Sequence, residues 1–595
     1  MCWESASGCT RRTVATDPAR PVPCPVRAVR PVTSAAGRRT VADMARESSS
    51  PAQSTREITA DVVVLGGGPV GENLAQYAIE DSDLTAVIVE SELVGGECSY
   101  YACMPSKALL RPLAVADTAA HLEGLSTPQL DPEALRARRD TWVSDYDDSG
   151  QVEWAEGAGM TVVRGHGRLV GEREVLVDAP DGGHEHRPAR SDAPADGADG
   201  ADRADGAHGA EGVGGTDGAE GADGAARADG TETAHGRSAT RTRIRARRAV
   251  VIATGSEAVV PGPLQALAPW TSRDATGVWE VPGELVIVGG GVVAVEAATW
   301  MAALGARVRL LVRGTSLLTG FEPFAGKHVL DALRELGAVV ELGASVVSGE
   351  REDARDTGLG RIHGGTVRLQ VEDAAGRREV TADEVLAATG RRPALGDVGL
   401  ETIGLTAEDV TGTEAATSDD ATGAPLPEWL QVVGDASGEA PLTHWGKYRA
   451  RVIGQAIRAG ALGEPLEPVP EQVPVPQVVF TDPQVTSVGL TEEAARAAGH
   501  DVVTAQVPFG SAAGTALLRD DVTSTAQLVV DRAAGTLLGA TFVGPDASEL
   551  LHGATIAITG QVPVHVLRHA VPSFPTASEL WLRLLEELPR ALRQG

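Results

Sequence analysis

Over most of the chain, short runs of β-branched and aliphatic residues alternate with segments whose apolar positions recur at helical spacing. That alternation predicts α/β units built on parallel sheets. Two blocks show it most clearly. In ADVVVLGGGPVGENLAQYA, Ala60 to Ala78, and in GELVIVGGGVVAVEAATWMAALGARVRLLVRG, Gly283 to Gly314, an unbroken apolar strand runs into a glycine-rich turn and then into a helix. From about Glu471 the pattern becomes mixed strands and helices. Two stretches have no such pattern. Residues 1–57 are rich in Arg, Pro, Ala, Ser and Thr, and residues 181–240 repeat Asp, Gly and Ala. Neither has enough large apolar side chains to offset its ordering entropy, so both are expected to be disordered. The second reads as an acidic insertion, because EREVLVDA (Glu172 to Ala179) before it and RIRARRAVVIAT (Arg243 to Thr254) after it look like neighbouring strands of one sheet. Met44 lies in the first stretch, and translation is expected to start there.

Composition narrows the class. A chain of 595 residues with 42% hydrophobic residues has room for several cores. Its net charge of -30 repels nucleic-acid backbones, and 3% aromatics are too few for base-stacking surfaces. No apolar run is long enough for a bilayer helix, and MCWESASGCTRR lacks the apolar core of a secretory signal, so a cytoplasmic protein is expected. In that compartment a structural disulfide is disfavoured. The chain has 5 cysteines, and Cys2, Cys9 and Cys24 sit in the pattern-free tail. Cys98 and Cys103, in GGECSYYACMPSK, therefore call for a catalytic or metal-binding explanation. A zinc site would need a second pair of ligands, which is missing, and no metal is expected.

The glycine turns carry the next step. In the first block Gly66, Gly68 and Gly71 permit a tight turn and a close approach of a pyrophosphate to the helix N-terminus, and the following strand, AVIVE, ends in Glu90, placed to hydrogen-bond a ribose. The second block repeats the arrangement with Gly289, Gly291 and Ala294, but its second strand ends in Arg313. A guanidinium there suits a 2'-phosphate, which favours NADPH over NADH. Two nucleotide folds with a cysteine pair just after the first suggest a flavin and a pyridine nucleotide meeting at a redox disulfide.

This combination resembles the pyridine nucleotide-disulfide oxidoreductases, the family of dihydrolipoamide dehydrogenase, glutathione reductase and mercuric reductase. The resemblance rests on GGECSYYACMPSK, both glycine fingerprints, the two ATG turns (Ala253-Thr254-Gly255 and Ala388-Thr389-Gly390), VVGDASG with Gly434 and Asp435, and VPQVVFTDPQVTSVGLTEEAARAAG. It implies two Rossmann-like nucleotide-binding domains, for FAD and NAD(P), and a C-terminal α+β dimerisation domain, hence a homodimer. The implied boundaries place the FAD domain in 58–180, 241–281 and 387–468, the NAD(P) domain in 282–386 and the dimerisation domain in 469–595. FAD would use Glu90, Thr254, Gly255, Gly434 and Asp435; NAD(P)H would use the second fingerprint, Glu296 and Gly390. Cys103 would face the flavin as the charge-transfer thiolate, and Cys98 would be the interchange thiol. Lys107 would pair with Glu296 near the flavin.

One position departs from the resemblance. The family usually carries a His-Pro-Thr followed by Ser-Glu, in which the His serves as acid-base at the other subunit's disulfide and the Glu orients it. In HAVPSFPTASELWLRLLEE, Phe574 stands at the His, while Glu579 remains. Phe carries no proton, and general acid-base help is typically worth about 100- to 10,000-fold. His569 is read as a structural or surface residue, and His444, which follows the Asp435 segment, is expected near the flavin's pyrimidine end and not as the base. RALRQG lacks the C-terminal cysteines of mercuric reductases. The expected activity is hydride transfer from NADPH through FAD to the Cys98–Cys103 pair and on to a disulfide or another small-molecule acceptor. The alternatives are a quinone or dye reductase, with electrons leaving the flavin directly, and a non-catalytic redox-sensing flavoprotein.

Overall fold

The computed structural model describes residues 55–179, 241–411, 426–470 and 473–594. The acidic insertion 181–240, Met44 and most of the tail 1–57 lie outside these residues. The tail boundary needs one correction: the strand Thr55–Leu65 starts inside it, with Thr55, Arg56 and Glu57 paired to Arg241, Thr242 and Arg243. These first residues are exposed, so backbone hydrogen bonds and not side-chain burial extend the strand.

Among the described residues the strands form five sheets. The first runs in the order Met160–Arg164, Ala86–Glu90, Thr55–Leu65, Arg241–Ile252, Glu174–Asp178, His166–Gly171, with Leu430–Val432 also pairing on Arg241–Ile252. The pairings of Thr55–Leu65 are parallel. Its run of Val is buried on both faces: Val63 and Leu65 join a core with Leu169 and Val432, while Val62 and Val64 join one with Leu74, Ala78 and Ile453. The strands flanking the insertion are antiparallel neighbours, Glu174 opposite Arg245 and Asp178 opposite Arg241.

The second nucleotide-type sheet is parallel throughout, in the order Val339–Leu342, Arg307–Val312, Glu284–Val288, Glu384–Ala387, with a three-stranded antiparallel sheet beside it. The C-terminal part is a five-stranded antiparallel sheet bearing the helices Ser548–Thr559 and Glu579–Glu587. One long helix, Cys103–Ala120, joins the parts: its Leu109 and Leu110 enter the same core as Ile287 and Trp300 of the second sheet's unit and Val485 and Val543 of the C-terminal sheet. The residues that follow the two cysteines are thus held at a three-way junction.

Candidate active site

A single cleft of about 1660 Å³ runs along both glycine turns and past both cysteines. At the first turn Gly66 has φ +106°, and a Cβ there would lie 2.3 Å from the Ala253 carbonyl oxygen, so only glycine lets this strand end approach the Ala253-Thr254-Gly255 turn. On the cleft wall Gly291 faces open space, and a Cβ on Gly68 would meet only the Gly96 Cα, at 3.9 Å. The cradle left at both turns matches the space a pyrophosphate needs. Gly71 and Ala294, expected to touch the nucleotides, do not line the cleft. A Cβ on Gly71 would sit 2.0 Å from the Gly66 carbonyl oxygen, and Ala294 is fully buried. One turn into each helix, these positions face the strand behind, and their small size serves helix–strand packing.

Glu90 ends its strand at the cleft. Its Oε2 accepts from the Gly67 backbone N–H and its Oε1 from that of Glu92, both at 2.7 Å, and burial pushes its carboxyl up. Thr254, Gly255, Gly390, Gly434 and Asp435 all line the cleft. The Ser256 hydroxyl donates to Asp435 Oδ2 at 2.5 Å. Arg313 lies one residue beyond the strand Arg307–Val312, exposed on the cleft wall, and makes no ion pair among the described residues.

Cys98 lies in the short helix Gly96–Tyr100, and Cys103 opens the helix Cys103–Ala120; both stand as free thiols. Cys103 Sγ lies 3.4 Å from Oγ1 of Thr443, the first residue of the 20-residue helix Thr443–Leu462. A hydrogen bond from Cys98, helped by the Thr443 hydroxyl and the Lys107 ammonium, brings the Cys103 thiol down to about 6 against the opposing effects of burial and Glu296. The same bond and burial hold the Cys98 thiol well above its usual range. The two shifts run in opposite directions, so the pair gives up its first proton more readily at Cys103 than at Cys98.

Lys107 Nζ donates to Glu296 Oε2 at 2.9 Å, and Oε1 of the buried Glu296 accepts from the Phe480 backbone N–H at 2.9 Å. The ammonium also sits 4.8 Å from the Phe480 ring centroid. Glu97, beside Cys98, accepts from Arg273 at 2.7 Å and from Arg391 at 3.3 Å, and Arg273 reaches on to Glu92. Behind the loop, Tyr100, Tyr101 and Tyr146 pack with Leu93, Val143 and Leu359. Three of the chain's 5 tyrosines thus stiffen one short loop.

Glu579 is remote from this cleft; its Oε2 accepts from the Gly514 backbone N–H at 3.3 Å. Phe574 and Val571 are 78% and 89% exposed on the loop before it. A Cβ on Gly514 would lie 1.9 Å from the Thr576 carbonyl carbon, so that loop is pressed tightly onto the domain that carries it. His444 Nε2 lies 2.7 Å from the Pro476 carbonyl oxygen, and His569 is exposed. The cleft lining contains no histidine among the described residues. Thr443, Arg273, Glu97 and Ser256 escaped sequence reasoning. The only local hint was a hydroxyl residue after PL at a helix start, and the ion network joins residues too far apart in the chain to show a spacing signal.

No helix among the described residues is long and apolar enough to cross a membrane, and none of their acidic, His and Cys side chains form a group of three or more able to hold a metal. A family model described as pyridine nucleotide-disulphide oxidoreductase matches residues 60–414, and the dimerisation domain of the same family matches 475–584. Dihydrolipoyl dehydrogenase of Haloferax volcanii is 29% identical over 541 residues, covering 90% of this chain and 97% of that one. Dihydrolipoyl dehydrogenase 3 of Pseudomonas aeruginosa is 29% identical, covering 87% and 96%. Two solved structures share the fold: LpdA from Mycobacterium tuberculosis, with TM-score 0.66, and the HOCl-induced flavoprotein disulfide reductase RclA from Escherichia coli, with TM-score 0.64. Each is 20% identical; they cover 89% of this chain and 99% and 100% of their own, respectively. With residues 60–414 and the C-terminal domain both matched, the chain belongs to the pyridine nucleotide-disulphide oxidoreductases, enzymes that use FAD and a pyridine nucleotide.

Proposed function

We propose that this enzyme prefers NADPH and that Cys98 and Cys103 cycle between dithiol and disulfide, passing electron pairs to a disulfide or another small acceptor. The observation that carries the reading is the single cleft that joins both glycine turns to the two cysteines. FAD would be held along Gly66, Gly68, Glu90, Thr254, Gly255, Gly434 and Asp435, and NADPH along Gly289, Gly291, Gly390, Glu296 and Arg313. Bound FAD supplies the relay that carries the nicotinamide's hydride equivalent to the disulfide. The protein's own residues prepare that transfer. Lys107, fixed by Glu296, places a cation beside Cys103 and favours negative charge there. Cys98 holds the proton and gives it up when it attacks the acceptor. The reading includes a homodimer, supported by the matched dimerisation domain and by the exposed Val571 and Phe574 within it. It also includes a cytoplasmic location, where a reducing environment disfavours a purely structural disulfide. Membership of an enzyme family removes the ground for a non-catalytic reporter.

Phe574 favours a second reading, reduction of a quinone or dye with electrons leaving the flavin directly, because a Phe at the position of the family's base carries no proton. One experiment separates the two. The oxidised holoprotein is treated anaerobically with NADPH or NADH, its alkylatable thiols are counted, and turnover is followed with a disulfide and a quinone, for wild type, Cys98→Ser and Arg313→Glu. The dithiol reading expects two more thiols after NADPH in wild type and loss of disulfide turnover in Cys98→Ser. An unchanged thiol count, with quinone turnover intact in Cys98→Ser, would establish the second reading. Arg313→Glu is expected to lower kcat/KM for NADPH relative to NADH by about 10- to 100-fold, the value of one charged hydrogen bond; an unchanged ratio would remove Arg313 as the selector.

A further inference from the structure

We infer that Thr443 is a catalytic residue whose hydroxyl bridges the two sulfurs and sets which of them holds the proton of the reduced pair. The inference rests on the reading of Cys98 and Cys103 as a redox pair. Thr443 Oγ1 lies 3.4 Å from Cys103 Sγ, Cys98 lines the same cleft beside them, and the Thr443 hydroxyl also acts to lower the Cys98 thiol. A hydroxyl can donate one hydrogen bond and accept two, so it can accept from one sulfur while donating to the other. The position is also electrostatically prepared. Cys103 opens a helix of 18 residues and Thr443 one of 20, so the N-termini of both converge on the thiolate. The other charged groups acting on Cys103 are Lys107, on its own helix, which stabilises the thiolate, and Glu296, on the second fingerprint helix, which opposes it.

The bridge gives the reduced pair a proton path that needs no histidine. Cys98 Sγ–H passes its proton to Thr443 Oγ1 as the hydroxyl proton moves to Cys103 Sγ. The result is a Cys98 thiolate and a Cys103 thiol, with total charge unchanged. The Cys98 thiolate attacks one sulfur of a disulfide acceptor; the acceptor's S–S bond breaks, a mixed disulfide with Cys98 forms, and the first thiolate leaves. That thiolate takes the proton from Cys103. The Cys103 thiolate then attacks the Cys98 sulfur, closing the intramolecular disulfide and releasing the second thiolate, which is protonated by water. Two electrons have moved from dithiol to acceptor, with one proton from the pair and one from solvent.

The test uses the phosphine-reduced holoprotein. The rate of Cys103 alkylation by iodoacetamide is followed against pH by peptide mass spectrometry in wild type, Thr443→Val and Thr443→Ser, alongside disulfide turnover. The wild-type midpoint is expected near 6. Thr443→Val is expected to raise it by about one pH unit, the loss of one hydrogen bond to a charged group. Disulfide turnover should fall by about 10-fold or more, as for loss of a proton-transfer group. Thr443→Ser should restore both. An unmoved midpoint in Thr443→Val, or a Ser variant that behaves like Val, overturns the inference and leaves the redox pair standing. A wild type whose cysteines form no NADPH-reducible disulfide overturns both.

Discussion

In the first turn of the helix Pro69–Ile79, behind the glycine turn, Glu72 is buried and its Oε1 has no hydrogen-bond partner among the described residues. Burial pushes its carboxyl up to about 8; Lys447 opposes this and Glu90 adds to it. The sign follows from linkage. The folded state keeps this proton above the pH at which the unfolded chain loses it, so stability is highest below about 4.5 and falls as pH rises towards 8. Glu72→Gln is expected to flatten part of that fall and to raise the thermal midpoint at pH 9 by about 2 °C or more. Glu90, also pushed up by burial, keeps the rest of the slope. Parallel melting curves for variant and wild type from pH 5 to 9 would refute the assignment. Glu90 and the two cysteines were legible in the sequence because each stands at a fixed offset from a glycine turn. Glu72 was not, since an acid in the first turn of a helix is ordinarily solvated.

At the scale of elements, the strand Ser345–Arg351 is pinned to the strand Glu384–Ala387 by a fully buried ion pair. Arg351 Nη1 meets Glu384 Oε1 at 2.7 Å and Nη2 meets Oε2 at 2.8 Å. The carboxylate also accepts from the His363 and Val385 backbone N–H groups. This pair ties the small antiparallel sheet to the parallel sheet that carries the second glycine turn, and so fixes that turn's neighbours. Glu384→Gln leaves a buried guanidinium without a counter-charge and is expected to cost about 3–5 kcal/mol. Arg351→Met with Glu384→Leu is expected to cost much less, because neither charge is then buried. Urea unfolding of the two proteins checks this, and a single variant no worse than the double would sink it. Elements themselves were readable where a strand, a glycine turn and a helix follow in order. The packing of the third fingerprint residues, Gly71 and Ala294, behind the cleft was not readable, because sequence shows a small residue without showing which side of the helix faces the strand.

For the whole molecule, the far end of the redox helix is tied to the C-terminal domain. Arg519 pairs with Asp117 at that helix end, with Asp482 at 3.1 Å and with Asp521 at 2.8 Å. His121, the next residue beyond the helix, accepts at its carbonyl from the Asp520 backbone N–H at 3.0 Å. Burial and the neighbouring Asp117 push the Asp482 carboxyl up to about 7. Because this lies above its unfolded value of 3.8, the junction is firmest while Asp482 holds its proton and weakens as pH rises through about 7. Arg519→Leu removes the cation that offsets the two carboxylates. Its thermal midpoint is expected to drop by about 1 °C more at pH 8 than at pH 6, the response of a protein of this size to roughly 1 kcal/mol. Equal losses at the two pH values would show that the cluster is not titrating.

The sequence alone determined the nucleotide-binding architecture, the cysteine pair and the vacancy at the base, because each is written in residues a few positions apart whose backbone geometry is local. Only the tertiary structure decided what surrounds the sulfurs. Thr443 is 340 positions from Cys103, and Arg391 is 294 from Glu97. Such contacts arise where the helices of three folded parts converge, and no period or spacing along the chain encodes that convergence. The same holds for Phe574: its identity was plain from the sequence, but its exposure, and the absence of any histidine from the cleft among the described residues, are properties of the packed molecule. Local chemistry therefore specified the parts, and long-range packing specified the proton and charge environment in which they work.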